Sequence, residues 1–261
     1  MRMRIRLALA LLLVVVTVGT VCGCGESDSP GAGAVVTSEE IVARVASSQA
    51  EIRTCRYEIT ISGVAFMGES ILTGAMDFEN RRASFEMEMS VWGNRVSMEY
   101  YVLADTMYCK MPLQEEGDRW IKAEILGHES FWETGDPVDD QVSVLENSLE
   151  WLTAGSGEVK GVDCHILEVV PDFDKLCDVL DLEEDMSGVL LEDIALRFWI
   201  SKADYFPTKM DLSMTMRDPE TDTAYEWHQE TVLYDHNKPL DIQLPPEAQS
   251  ATEVSPDAIE Y

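Results

Sequence analysis

Glu226, His228 and Glu230 alternate along this 261-residue chain, so on a β-strand their side chains would share one face at a spacing a divalent metal could use. A lone histidine between two acids, with no fourth ligand in view, reads better as a solvated strand face, and no metal is expected. Asp218, Glu220 and Asp222 imitate the start of a calcium loop, but Thr223 stands where such a loop needs glycine. No glycine-rich phosphate cradle, serine elbow or paired-histidine motif is present. No catalytic residue and no cofactor are therefore expected, and the chain does not read as an enzyme.

Thiol chemistry is the other possibility. Past residue 24 the chain holds four cysteines, Cys55, Cys109, Cys164 and Cys177. An even number in an exported chain permits two disulfides in any of three connectivities, and proximity in sequence favours Cys164 with Cys177, leaving Cys55 with Cys109. The alternative is that all four are reduced and pack as small hydrophobes. His165 adjoins Cys164, but on a strand the two side chains point to opposite faces, so no nucleophile pair is expected.

The N-terminus carries a more specific signal. Arg2, Arg4 and Arg6 precede an apolar run from Leu7 to Val21, and the run closes on Val21-Cys22-Gly23-Cys24. A basic start, a greasy stretch of this length and small residues before a cysteine describe an export signal, since the run is short for a helix crossing about 30 Å of hydrocarbon. Its last four residues resemble a bacterial lipobox. Residues 1–23 are thus expected to be a lipoprotein signal peptide, with Cys24 the first mature residue and the site of lipidation. More than one acyl chain on one residue gives stable anchoring.

Without residues 1–23 the chain keeps 16 basic and 49 acidic side chains, a formal charge of −33. Such a surface repels nucleic acid and keeps the protein dissolved. Residues 24–35, rich in Gly, Ser, Pro and Ala, read as a flexible tether. Residues 36–250 are long enough and, in a chain 46% hydrophobic, apolar enough to bury one core, and residues 251–261 read as a disordered tail.

Local patterns divide the domain into helices and strands. Thr37-Ser38-Glu39-Glu40 is a capping box, and Ile41, Val42, Val45 and Ile52 give a helix over 38–53 one apolar stripe. A second helix is expected over 142–152, where Val142, Leu145, Leu149 and Leu152 share a face, and a short one after Pro171-Asp172 with Phe173, Leu176 and Leu180. Elsewhere the period is two. Tyr57, Ile59 and Ile61 alternate with polar residues, as do Ala83, Phe85, Met87 and Met89; then Val96, Met98, Tyr100 and Val102. Two strands meet near Gly161, and the last third holds strands around Ile194–Ile200, Thr208–Met216 and Tyr225–Leu233. This is an antiparallel meander with one wet and one dry face.

Nine of the eleven methionines after residue 24 fall on the dry side: Met76, Met87, Met89, Met98, Met107, Met111, Met210, Met214 and Met216. Methionine is flexible and polarizable, and suits a surface that must accept a variable shape. Alternation alone favours an ordinary core, with the two helices filling the hollow of the sheet.

Several longer segments carry a resemblance. Asp105-Thr106-Met107-Tyr108 with Arg119-Trp120-Ile121-Lys122 resembles a hairpin of the LolA and LprG-like group of exported lipoproteins and lipid carriers. Phe198 to Lys202, Tyr205 to Lys209, Tyr234 to Pro239 and Ile242 to Pro245 resemble the terminal strands of that group. The resemblance implies an α+β fold, mainly antiparallel β: a strongly curved, incomplete β-barrel of about eleven strands with helices plugging the concave face. It also implies a hydrophobic half-barrel cavity for a lipid or lipidated ligand. Phe85, Met87, Met89, Met98, Tyr100, Leu196, Phe198, Met210, Leu212 and Met214 are the residues expected to line it. The location would be extracytoplasmic, lipid-anchored at the cell membrane, with a lipid or acyl-chain ligand as partner and no nucleic acid. An envelope sensor or adaptor of the same fold, binding a protein partner, is the alternative that the resemblance leaves open.

Overall fold

The computed structural model describes residues 36–63, 67–91, 93–111, 118–125, 131–134, 136–172, 175–176, 190–219 and 221–255. Cys24, the signal segment, the tether, Phe173, Cys177, Leu180 and Glu220 lie outside the described residues. The structural unit begins at Val36. Helix α1 (Ser38–Ser48) starts as its capping box dictates: Thr37 Oγ1 accepts the Glu40 N–H at 3.2 Å, and Glu40 Oε2 accepts the Thr37 N–H at 3.2 Å. Its buried stripe is Ile41, Val42 and Val45, and a single 3₁₀ turn (Gln49–Glu51) carries the chain to Ile52, which is buried in the same core.

Six strands follow, each pairing with the next: β1 (Thr54–Ser62), β2 (Met67–Asp77), β3 (Arg82–Val91), β4 (Asn94–Leu103), β5 (Thr106–Met111) and β6 (Arg119–Glu124). The short helix α2 (Phe131–Thr134) and helix α3 (Pro137–Glu146) come next. Then come β7 (Glu150–Val159), β8 (Val162–Val170), β9 (Leu190–Ser201), β10 (Pro207–Asp218), β11 (Thr223–Tyr234) and a two-residue β12 (Thr252–Glu253). All twelve form one sheet in the order β12-β6-β5-β4-β3-β2-β1-β11-β10-β9-β8-β7. Every pairing is antiparallel except β12 with β6. The first strand therefore sits at the centre, with Tyr57 opposite Leu233 and Ser62 opposite His228. Among the described residues the end strands β7 and β12 do not pair, so the sheet is not closed, and register shifts in β2, β7 and the β9–β10 pair mark where the strands bend.

The centre is locked at one end by the segment after β11. Asn237 Oδ1 accepts the Arg53 N–H at 2.7 Å, Asn237 Nδ2 donates to the Glu51 carbonyl at 3.0 Å, and Thr54 Oγ1 donates to the Lys238 carbonyl at 2.8 Å. Asn237 takes a left-handed backbone (φ 56°), which asparagine tolerates better than most residues. The Tyr234 to Pro239 motif thus has a structural task, tying the last long strand to the first.

Four sequence-based expectations are corrected. The second helix spans 137–146 rather than 142–152: Asp136 caps it, accepting the Val138 N–H at 2.8 Å, and Pro137 occupies its first turn. Leu149 and Leu152, expected on its buried face, are 68% and 51% exposed at the start of β7. The first helix ends at Ser48 and passes into 3₁₀ geometry, rather than running to 53. The polar C-terminal segment is docked at least to residue 254: Ala248 is fully buried, β12 pairs with β6, and the Val254 N–H donates to the Lys122 carbonyl at 2.9 Å.

The fourth correction concerns the thiols. Cys55, Cys109 and Cys164 are all free and buried. Cys55 on β1 and Cys109 on β5 are four strand spacings apart, roughly 19 Å along the sheet at the usual spacing, beyond the reach of a disulfide. Cys164 faces the convex side, in a small cluster with Val159 and Val232, where its sulfur lies 3.2 Å from Thr208 Oγ1. Burial pushes the Cys55 thiol up to about 12, with the charge of Asp136 adding to the effect. Burial raises Cys109 and Cys164 as well, which disfavours the thiolate form in all three.

Candidate functional site

The dry face of the sheet is built in rows that cross the strands. One row runs Leu167, Phe198, Met210, Thr231, Ile59, Leu72, Met87, Met98 from β8 through β11 and β1 to β4. The next runs Val169, Leu196, Leu212, Gln229, Ile61, Ser70, Met89, Val96. Burial changes along each row at the same place. From β8 to β10 every member is buried, because α1 packs on β7 and α3 on β10, and their apolar stripes cover this half. From β1 to β4 every member of both rows is only half-buried.

The expected lining residues divide along this boundary. Leu196, Phe198, Met210, Leu212 and Met214 belong to the closed core under the helices. Phe85, Met87, Met89 and Met98 lie on the half-buried strip. Tyr100 is buried at the foot of that strip, its ring stacked on Phe85 with centroids 4.7 Å apart and its hydroxyl 3.3 Å from the Met98 sulfur. Ile59, Ile61, Leu72 and Val96 complete the strip. The first two and Val96 were visible in the alternation, whereas Leu72 sits in a stretch, Thr73-Gly74-Ala75, too weak in strand-formers to show a pattern. Helix α2 covers the lower end: Phe131 stacks on Phe85 at 6.1 Å with only 6° between planes, and Trp132 Nε1 donates to the Ala104 carbonyl at 2.8 Å.

Polar groups interrupt the hollow at two points. On β11, Gln229 Nε2 donates to Thr231 Oγ1 at 3.2 Å, in the middle of the rows where the buried half meets the open half. On α3, Gln141 is 1% exposed, and neither its amide oxygen nor its amide nitrogen has a hydrogen-bond partner. An unpaired buried amide is costly, so Gln141→Leu, which keeps the volume and removes the need, is expected to stabilise the protein by about 1–3 kcal/mol. A guanidinium titration reads this as a higher midpoint at unchanged slope; a lower midpoint would show that Gln141 has a partner in solution.

Two depressions lie elsewhere, among charged and polar side chains. One of about 710 Å³ opens at the β1 end of the molecule, among Glu51, Arg53, Thr54, Glu79, Asn237 and Lys238. Another of about 350 Å³ spreads over the convex face, bordered by Arg56, Thr73, Glu86, Glu99 and Tyr234. That convex face is laced with ion pairs: Arg197 with Glu168 at 2.7 Å, Arg217 with Glu192 at 3.1 Å, and Lys209 with Glu230. The metal-like triad is dispersed among such pairs, since Glu230 engages Lys209 and His228 Nε2 lies 3.3 Å from Asp211 Oδ1. Among the described residues no three metal-binding side chains converge. Likewise Arg217 engages Asp222, while Asp218 accepts from the Thr221 hydroxyl at 2.7 Å. Among the described residues no helix is long and apolar enough to cross a membrane.

One open, curved antiparallel sheet holding its helices on the concave side is a fold that solved lipoprotein structures share. Two solved structures carry that likeness. Lipoprotein LppX of Mycobacterium tuberculosis superposes with a TM-score of 0.51 at 10% identity, over 79% of this chain and 100% of its own. LprF of Mycobacterium bovis gives 0.52 at 11% identity, over 79% of this chain and 96% of its own. No protein-family model and no curated sequence matches this chain.

Proposed function

We propose that this protein is an exported lipoprotein, anchored through Cys24 outside the cytoplasm, that takes a lipid or the acyl part of a lipidated molecule into the open half of its hollow. The observation carrying this reading is the burial step across the rows: an apolar, methionine-bearing strip, continuous with the core, stays half-exposed on β1–β4 while its other half is roofed by α1 and α3. Burying an acyl chain there gains on the order of 0.8 kcal/mol per methylene. Met87 and Met89 adapt their shape to it, and Phe131 closes the lower end of the strip.

The test uses the strip and spares the core. Met214 is 3% exposed, so a charge there would unfold the protein rather than report on a ligand. Met87→Glu and Met89→Glu place carboxylates on a half-exposed face. Mass spectrometry of an organic extract is expected to find acyl lipid on the parent protein and at least tenfold less on the double variant, with the circular dichroism spectrum unchanged. Equal lipid on both, or none on the parent, overturns the proposal.

A further inference from the structure

A second site stands at the corner where α1 meets β8 and the β9–β10 turn. Arg44 projects from the exposed side of α1, with its guanidinium carbon 4.8 Å from the centroid of the Tyr205 ring and Nη1 donating to the Tyr205 hydroxyl at 2.6 Å. His165 of β8 stacks against the same ring, centroids 6.2 Å apart and planes 20° from parallel. Lys202, just past β9, is tied to the same strand two residues before His165, its backbone N–H donating to the Asp163 carbonyl at 2.9 Å, and its charge acts on His165. Burial first, then the charges of Lys202 and Arg44, hold His165 below the ordinary histidine range.

The rest of the molecule is strongly acidic, and many of its bases are already paired. Acids outnumber bases 49 to 19 over the whole chain. Ten of its lysines and arginines, Arg56, Arg81, Arg95, Lys110, Lys122, Lys160, Arg197, Lys209, Arg217 and Lys238, lie within 4.0 Å of a carboxylate. Among the described residues Arg44 and Lys202 are in no such pair, and neither are Arg53, Arg82, Arg119 and Lys175, but only Arg44 shares an aromatic ring with a histidine. Of the acids adjoining in sequence, Asp204 Oδ1 accepts the Phe206 N–H at 3.2 Å, and the Asp163 backbone carbonyl accepts the Lys202 backbone N–H at 2.9 Å. The platform is also strained. Tyr205 is held at φ 61°, a conformation that aromatic side chains rarely adopt, by its N–H to the Ser201 carbonyl at 3.1 Å and by Ser48 Oγ donating to its carbonyl at 3.2 Å.

We propose that Arg44, His165 and Lys202 bind a phosphate group, with Tyr205 orienting the guanidinium. A guanidinium that spends one N–H on a tyrosine hydroxyl keeps others for a phosphate edge, an ammonium supplies a point charge, and an imidazole takes up a proton when the anion arrives. On a surface this acidic, a phosphate has reason to bind only where local cations outweigh the overall field. The site is independent of the hollow, and the phosphate can come free in solution or on a lipid headgroup.

Histidine NMR on the protein tests it, with the His165 resonance identified by its loss in His165→Gln. Saturating inorganic phosphate, and in a separate arm soluble dihexanoyl phosphatidic acid, are expected to raise the His165 pKa by about one unit. The rise should vanish in Arg44→Gln/Lys202→Gln and persist in part in Arg44→Lys. A rise with both probes supports a site for phosphate from either source; a rise with phosphatidic acid alone supports the headgroup as the source. No rise with either probe, or a rise that survives Arg44→Gln/Lys202→Gln, overturns the assignment.

Discussion

Replacing Gly74 by alanine is expected to destabilise the protein by about 2 kcal/mol, lowering the melting temperature by about 4–8 °C. Gly74 on β2 lies directly opposite Tyr57 on β1, and the tyrosine ring covers the place where a side chain would stand. A Cβ built on Gly74 would come 2.3 Å from Tyr57 Cζ and 2.5 Å from its hydroxyl oxygen, closer than real Cβ contacts reach. The ring has nowhere to retreat, since Tyr57 is itself buried in the core beside Met76 and Leu233. One methyl group is small, but an interior packed like a crystal has no slack to absorb it. Calorimetry checks the loss, and Tyr57→Leu made in the Gly74→Ala background should recover part of it, a coupling that independent sites would not show. No loss on Gly74→Ala would mean that the ring lies elsewhere.

That contact also shows where the sequence stops being readable. Alternation in Tyr57–Ile61, Ala83–Met89, Val96–Val102, Thr208–Met216 and Tyr225–Leu233 was enough to place the strands, because half-buried antiparallel sheets impose period two directly. The capping box at Thr37 was equally plain, since its chemistry is confined to four residues. Pairing of the first strand with β11 left no local trace, for it joins residues more than 160 positions apart. The start of α3 was hidden by its own punctuation: Gly135 and Pro137 look like breakers, yet proline suits the first turn of a helix. Leu149 and Leu152 then extended the helical period by coincidence into a strand.

The site divides in the same manner. The methionine-bearing dry face was legible, but which part of it lies under a roof was not, because the placement of α1 and α3 over β7 and β10 depends on tertiary contacts that no residue pattern states. Hence Leu196, Phe198 and Met210 looked no different from Met87 and Met98, although register puts Phe198, Met210, Met87 and Met98 in a single row. The basic corner at Arg44 was invisible for a similar reason: its members are far apart along the chain and only the fold brings them to one ring.

The roof itself carries the second large effect, in the first turn of α3. Burial pushes the carboxyl of Asp140 up to about 7, with the charges of Asp136 and Asp139 adding to it, and burial pushes Asp136 up to about 6 against the helix N–H groups that its carboxylate accepts. Asp139 is engaged by Gln49 Nε2 at 2.6 Å, an amide that brings no positive charge. In the unfolded chain such groups titrate near 3.9, so between pH 4 and pH 7 the folded state holds protons that the unfolded state has released. Stability from this source is therefore complete below about pH 4 and is lost as the pH climbs through 7. Asp140→Asn removes the largest part of the loss and is expected to stabilise the protein at pH 8 by about 1–2 kcal/mol, a value reduced for the solvent that still reaches the group, with no gain at pH 4. Guanidinium titrations of both proteins at the two pH values decide it, and a gain of equal size at pH 4 and pH 8 would remove the carboxyl as its cause. The helix that covers the closed half of the hollow is thus held less firmly at neutral pH than in acid, a property that a covering able to part from β10 would share.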